Sequence, residues 1–457
     1  MKKRTRLLTF VLLSALALSA VTGCTPSKDP AVSTEGATTQ TDTTVEETTE
    51  EATTEEVTTR EPARVVKVDN TYRIVIAAEA DEFVQRAANQ VVESLKEKAG
   101  LELTLVTDAE TPSEHEIVLG NTNRTETELG SDWEFSLQGD SFYLDTDDSL
   151  TLYFAAEAVM DAWLTPDFGL AEEGTLTLSE DRVVDLNAVV TKRDTAIKVM
   201  TQNIRDSDDG GENNVPKRYE RLKLLLIDYL PDVIGTQENS RNWLIRFEKL
   251  YANMSPDEKL PVYGMVGSSV DGHEAIGGGR NTIFYRLDRF DLIETDTFWL
   301  SETPHLSSSL EGAEHKRTCT WAKLYDKKTG KTVLFMSTHL DHKSSRLREL
   351  QITILLDYMA DKFGDFPIYL VGDLNTGSYS TAFQILSDKM LVARDNAWIN
   401  ASTKDYTFHG YSEYGGSLID HIFYNEYSTP IRYEILSKDY GGYVSDHYGV
   451  LTEFIFE

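Results

Sequence analysis

In the C-terminal half of the chain, short apolar runs break abruptly into polar residues. Ile368, Tyr369, Leu370 and Val371 are followed by Gly372, Asp373, Leu374 and Asn375. An apolar run with no polar alternate predicts a strand covered on both faces, with its polar groups delivered at its end. Gly372 predicts a tight turn, and Asp373 and Asn375, two residues apart, point to one side. Val233 and Ile234 lead in the same way towards Glu238, and the run 333–336 leads into His339, Asp341 and His342. A polar residue after one strand is ordinarily a solvated turn. Three such endings, with Ser445, Asp446 and His447 near the C-terminus, predict one shared rim.

The same pattern sets out the remaining elements. A strand is predicted over 197–204 with Asn203 near its end, and an amphipathic helix over 218–229, stopped by Pro231. Strands at 281–286 and 290–294 form a pair, and 318–325 turns at 328–330 into the His339 strand as a hairpin. A helix over 346–362 and strands at 417–424 and 450–456 complete this half. Upstream, a strand is expected at 72–78, then a helix over 81–98 capped by Asp81, with Phe83, Val84, Ala87, Val91 and Leu95 inward and Ala99-Gly100 as its stop. Strands follow at 101–106, 116–119, 133–137 and 141–144, a strand and second helix share 150–164, and a last strand occupies 175–178. This upstream unit holds no clustered acid pair and no Gly-rich phosphate loop.

At 457 residues the chain has room for two cores. Against 44 basic residues stand 76 acidic ones, a net charge of −32. Such a surface repels nucleic acid and phospholipid headgroups unless a metal or a local basic patch intervenes. Cys24 and Cys319 are the only cysteines, which excludes a disulfide framework and a cysteine zinc site; Cys319 reads as a small buried hydrophobe. Lys2, Lys3, Arg4 and Arg6 precede an apolar stretch at 7–20, shorter than the ~20 residues of a membrane span and arranged as an export signal. Val21-Thr-Gly-Cys24 resembles the lipobox of bacterial lipoproteins. That resemblance implies cleavage before Cys24, lipidation of Cys24, and attachment to the outer face of a bacterial membrane by the lipid alone. The domains are then a signal peptide at 1–23, a Thr/Glu-rich disordered tether at 24–63 spanning roughly 35 Å, a small α/β unit at 64–190, and a larger unit at 191–457.

Taken in order, Thr-Gln-Asn203, Pro-Asp-Val-Ile-Gly-Thr-Gln-Glu238, Ile-Phe-Tyr285, Ser-Thr-His339, Gly-Asp373-Leu-Asn375, Ile-Asp420-His-Ile-Phe and Ser-Asp446-His447 resemble the endonuclease/exonuclease/phosphatase superfamily. The resemblance implies an α/β fold of the DNase I-like type, a four-layer α/β/β/α sandwich. It also implies a divalent cation, Mg²⁺ or Mn²⁺, suited to carboxylate and amide oxygens. Glu238, Asn203 and Asp446 would be its ligands. Asp373 would activate the attacking water, Asn375 would hold that water or a phosphoryl oxygen, and His339 and His447 would bind phosphate or protonate the leaving group. Asp420 matches the acid that orients His447. The acid for His339 is missing from 277–281, with Glu274 as a substitute. Residues 298–304, 317–321 and His339 to His342 with Arg348 further resemble a bacterial subgroup, and Arg317 and Arg348 are candidate substrate contacts. Asp341 and His342 read as supporting residues, and His409 and His421 as structural ones. The 64–190 unit is similar to a small domain that precedes the barrel of some bacterial glycoside hydrolases, which implies packing or a glycan or cell-wall contact.

These readings predict a monomeric, surface-anchored phosphoesterase. Export favours nucleic-acid phosphodiesters as substrates, whereas the acidic surface favours a small phosphorylated molecule, an inositol phosphate or a phospholipid headgroup. A non-catalytic surface binding protein of the same fold would have lost a metal or water-activating residue, and none is lost. The loops at 264–279 and 398–414 decide between a groove and a pocket.

Overall fold

The computed structural model describes residues 63–457 apart from 126–127, 131, 169–173, 253–259 and 273–278. The signal, Cys24, the tether up to residue 62, and Glu274 lie outside the described residues. Upstream elements are β1 (Val65–Val68), β2 (Arg73–Ile76), α1 (Glu82–Ala99), β3 (Thr104–Thr107), β4 (Glu116–Leu119), β5 (Glu134–Gln138), β6 (Ser141–Asp145), α2 (Ser149–Trp163), β7 (Leu176–Ser179) and α3 (Val183–Asn187). Next come β8 (Ile197–Asn203), α4 (Val215–Tyr229), β9 (Val233–Gln237), α5 (Arg241–Ala252), β10 (Tyr263–Val266), β11 (Thr282–Arg286), β12 (Phe290–Trp299), β13 (Thr318–Asp326) and β14 (Lys331–His339). The chain closes with α6 (Ser345–Met359), β15 (Ile368–Asp373), α7 (Thr381–Ser387), β16 (Leu391–Val392), α8 (Ala393–Asn396), β17 (Ile399–Asn400), β18 (Asp420–Tyr424), β19 (Ser428–Leu436) and β20 (Gly449–Phe456).

Two sheets, ordered β10-β11-β9-β8-β20-β19-β17 and β12-β13-β14-β15-β18-β16, pack face to face. Side-chain alternation explains why their strands carry apolar residues at every position. On β15, Tyr369 and Val371 face the opposite sheet with Ile197, Val199 and Val233. Ile368 and Leu370 face Ile352, Leu355 and Met359 of α6. On the other outer face, Met200, Ile234 and Phe284 meet Leu222 and Leu225 of α4 and Trp243 of α5. The result is the four-layer α/β/β/α sandwich of the DNase I-like fold. Gly235 is required at its centre, because a Cβ there would lie 2.4 Å from Val371 Cγ2.

The upstream sheet runs β3-β2-β4-β6-β5, beside a β1-β7 ribbon, and is covered by α1 and α2. Helix α1 behaves as its sequence dictates: the Asp81 carboxylate accepts from the backbone N–H of Phe83 and Val84, and Gly100 ends it at φ 67°. The 150–164 stretch holds no strand. Asp148 caps a single helix from Ser149 onward, since Leu150, Leu152 and Phe154 are all buried by neighbouring layers, which overrides their strand propensity. Trp398 of the sandwich stacks on Phe83 and Phe154 of the upstream unit, with ring centroids 6.3 and 5.7 Å apart. Arg193 ties Asp148 to Glu453 across the same boundary.

Candidate active site

The sheet topology brings polar strand ends to one edge. Strands β8 and β9 are parallel, as are β14 and β15, so Asn203, Glu238, His339 and Asp373 emerge together. Strand β18 is antiparallel to β15 and begins there, with Asp420 opposite Asp373. Gly372 does not turn the chain. Strand β15 continues through Asp373, and glycine is needed because a Cβ would fall 2.0 Å from the Thr338 carbonyl oxygen. The turn comes at Asn375, whose φ of 51° is left-handed; Arg205 (59°) and Glu238 (60°) share that conformation. Three such residues around one cleft are local strain held by the surrounding fold.

Asn203 Nδ2 donates to Glu238 Oε1 and to Asp373 Oδ2, 3.0 Å in each case. The Asn203 Oδ1 and Glu238 Oε2 atoms accept backbone N–H groups from Arg205 and Asp206. Asp446 lies 3.7 Å from Arg205 Nε and 4.0 Å from His447 Nε2. His447 Nδ1 meets Asp420 Oδ2 at 2.8 Å, and its Nε2 faces Asp373 Oδ2 at 3.8 Å. Asn375 donates its backbone N–H to Asp373 Oδ1, and its side-chain Nδ2 contacts both His339 Nε2 at 2.9 Å and the Leu340 carbonyl. Seven expected residues, 203, 238, 339, 373, 375, 446 and 447, therefore line or underlie one cleft of about 510 Å³. Asp420 is buried behind His447.

The electrostatics divide the two histidines. Burial alone would depress His447, but Asp420, Asp373 and Asp446 outweigh it and raise its pKa, so it is held as an imidazolium. His339 goes well below its ordinary value, through burial first and then the positive charges of Arg317 and His447. Neutral His339 accepts at Nε2 from Asn375, and Asp373 Oδ2 stands 3.5 Å from the same nitrogen. Asp373 is pushed up by burial and by Asp420.

Arg317 lines the cleft, whereas the Arg348 guanidinium turns back to the Asp341 carbonyl and is not among the lining residues. Asp341 caps the following turn by accepting from the N–H groups of Lys343 and Ser344. His421 meets the Thr376 carbonyl oxygen, and His409 stacks on Tyr443. Trp398 faces the upstream unit, and Phe408, ten residues on, reaches the cleft. Arg205 and Asp206 also line it. Their position two and three residues after Asn203 is the sequence signal that marks them.

A model of the endonuclease/exonuclease/phosphatase family matches residues 200–447, more than half of the chain. The chain belongs to this family. Members of this family are phosphoester hydrolases, which supports a hydrolase here, and as a family they generally depend on a divalent metal. Family proteins of solved structure from Bacteroides thetaiotaomicron and Bacteroides vulgatus are 27% and 29% identical to it. Each covers 57% of this chain and 98% or 99% of its own, with a TM-score of 0.52. A mannosyl-6-phosphatase from Bacteroides thetaiotaomicron is 26% identical over 57% of this chain and all of its own, at TM-score 0.51. Among curated proteins none matches.

The donor set fits such a metal. Glu238 and Asp373 converge on one amide group, and Asp446 lies on the same edge. Hard carboxylate and amide oxygens are the ligands that Mg²⁺ and Mn²⁺ prefer. Among the described residues two groups of carboxylate and imidazole donors lie close enough to share a cation: Asp373, Asp420 and His447, buried at the cleft floor, and Glu314, His315 and His342, exposed at the rim, where Glu314 is already ion-paired with Lys343.

Proposed function

We propose that this family member is a divalent-metal-dependent phosphoesterase acting on small phosphorylated molecules. Its carrying observation is the single Asn203 amide that joins Glu238 to Asp373 at the floor of the cleft. Glu238, Asn203 and Asp446 would hold Mg²⁺ or Mn²⁺, which when bound neutralises charge on the phosphoryl oxygens. Asp373, with its raised proton affinity, accepts the proton of the attacking water. His447, kept protonated by Asp420, donates to a phosphoryl or leaving oxygen, and Asn375 and His339 position the phosphoryl group.

A small substrate is favoured over nucleic acid by the cleft's volume of about 510 Å³ and by the net charge of −32. The likeness to a mannosyl-6-phosphatase points to a sugar phosphate. The signal-like N-terminus and Cys24 place the activity, in this reading, on the outer face of a membrane. Phosphate release from sugar phosphates, inositol phosphates and oligonucleotides, with Mg²⁺, Mn²⁺ or chelator, tests the proposal. Metal-dependent turnover of a sugar phosphate that is abolished in Asp373→Ala is expected. Turnover confined to nucleic acid would overturn the choice of substrate, and indifference to chelator would overturn the metal.

A further inference from the structure

Arg317 is held firmly, yet among the described residues no carboxylate forms an ion pair with it, and Asp373, Glu238 and Asp341 act on it only from farther off. Its backbone carbonyl accepts from Leu300 N, and the next residue, Thr318, is pinned by Asn281 Nδ2 and by Thr338 Oγ1. The guanidinium faces the cleft. Its only hydrogen-bond contact among the described residues is Nη2 to His342 Nδ1, at 3.5 Å, and its buried Nε has no partner. Arg218 and Arg289, also enclosed, are fully engaged: Arg218 with four carbonyl groups, and Arg289 with Asp232, Asp326 and two carbonyls. A fixed cation left open in this way costs stability, and the cost is recovered only when an anion arrives.

The position of Arg317 says which anion. Along one sheet the rim runs from Arg317 before β13 to His339 on β14, Asp373 on β15 and Asp420 on β18. Glu238, Asp373, Asp446 and Arg317 line the same cleft, and along the sheet Arg317 stands next to His339, two strands from Asp373 and three from Asp420. Lys316, paired with Asp271 at 3.3 Å, and His315 line the cleft beside Arg317. A phosphate monoester near neutral pH carries close to two charges and three terminal oxygens, whereas a diester carries one charge and two. A cation held by the acidic residues would neutralise charge on these oxygens, and His447 with Asn375 would take another of them. A planar fork of N–H donors suits the third.

We propose that Arg317 makes this site selective for phosphomonoesters, by binding the terminal oxygen that a diester would carry as an alkylated ester oxygen. This rests on the phosphoesterase reading above. A diester would set a carbon substituent against the guanidinium and leave its donors buried and unpaired.

The test is the ratio of kcat/KM for p-nitrophenyl phosphate to that for methyl p-nitrophenyl phosphate, which share a leaving group, in wild type, Arg317→Lys and Arg317→Met. Arg317→Met is expected to lower the monoester value about 10²-fold, in the range for losing one charged transition-state donor, and the diester value less than about threefold. Arg317→Lys should fall between, and serves if the methionine variant does not fold. Equal losses on both esters, or an unchanged ratio, overturn the proposal. Binding of inorganic phosphate against dimethyl phosphate, read as a thermal shift with Mg²⁺ present, keeps the two claims apart. If wild type hydrolyses neither ester, the phosphoesterase reading fails. Selective phosphate binding lost in Arg317→Met would then still support the role of Arg317, and equal binding by wild type and variant would refute it.

Discussion

Two buried carboxylates, each at the end of a strand, meet opposite fates. Glu116, which opens β4 in the upstream unit, is 1% exposed, and Asp373, which closes β15 in the sandwich, is 2% exposed. Glu116 receives N–H groups from Arg73, from Arg124 at 3.2 Å, and from the Ser113 backbone at 3.0 Å. Burial would raise its pKa, but the two guanidiniums reverse the sign and hold it below the usual range. Asp373 has no arginine within ion-pair reach among the described residues and faces a second carboxylate, Asp420. Its pKa therefore goes up. Equal burial with unequal compensation separates a group that holds the fold from one whose charge is available for chemistry.

Exchanging the charge of each group tests that division. Asp373→Asn is expected to lower kcat about 10³-fold while leaving the metal-free melting temperature unchanged or higher, since an unfavourable buried charge disappears. Glu116→Gln should do the reverse. Removing one partner of a buried ion cluster costs about 3–5 kcal/mol, measured by urea denaturation, with kcat/KM per folded molecule within about twofold of wild type. Since the folded pKa of Glu116 is depressed, its contribution is present above the unfolded value near 4.5 and is lost as pH falls through the folded one. A catalytic collapse in Glu116→Gln without unfolding would erase the contrast.

A smaller effect sharpens it. Mg²⁺ or Mn²⁺ at a hundredfold its dissociation constant should stabilise the wild type by about 2.7 kcal/mol. Glu116→Gln should keep that increment, and Glu238→Gln should lose most of it. Equal metal stabilisation in both variants would move the cation away from the Asn203 edge.

Much of this edge could be read from local sequence, because a strand that ends in a polar residue carries both its address and its chemistry in a few consecutive positions. Asn203, Glu238, His339 and Asp373 are all of this kind. What could not be read depends on partners distant in the chain. Arg317 and Arg348 look alike in sequence, and only folding turns one towards the cleft and the other back to Asp341. His339 Nε2 meets the amide of Asn375, 36 residues on, and Asp373 Oδ2 at 3.5 Å. Strand β19 carries Pro430, which cannot donate to a ladder. The sheet accommodates it at a register shift between Pro430 and Arg432.

The smallest predicted effect returns to the upstream sheet and runs against its own Glu116. Asp145, at the end of β6, is 7% exposed, its Oδ1 has no partner, and Glu134 lies directly across the strand pair. Burial first, and then that like charge, push its pKa up to about 6. The folded state thus binds this proton more tightly than the unfolded chain, whose value is near 3.8. The contribution of this group to stability falls as pH rises from about 4 to about 6 and does not change further above that. Asp145→Asn removes the charge, so its advantage should be absent below pH 4 and complete above pH 6. There it is worth about 1–2 kcal/mol, after discounting for the water that a group at a strand end can reach. Melting temperatures of both proteins across pH 3.5–8 measure this. A gain that does not depend on pH would mean that the amide stabilises by a new hydrogen bond and that Asp145 was never short of compensation.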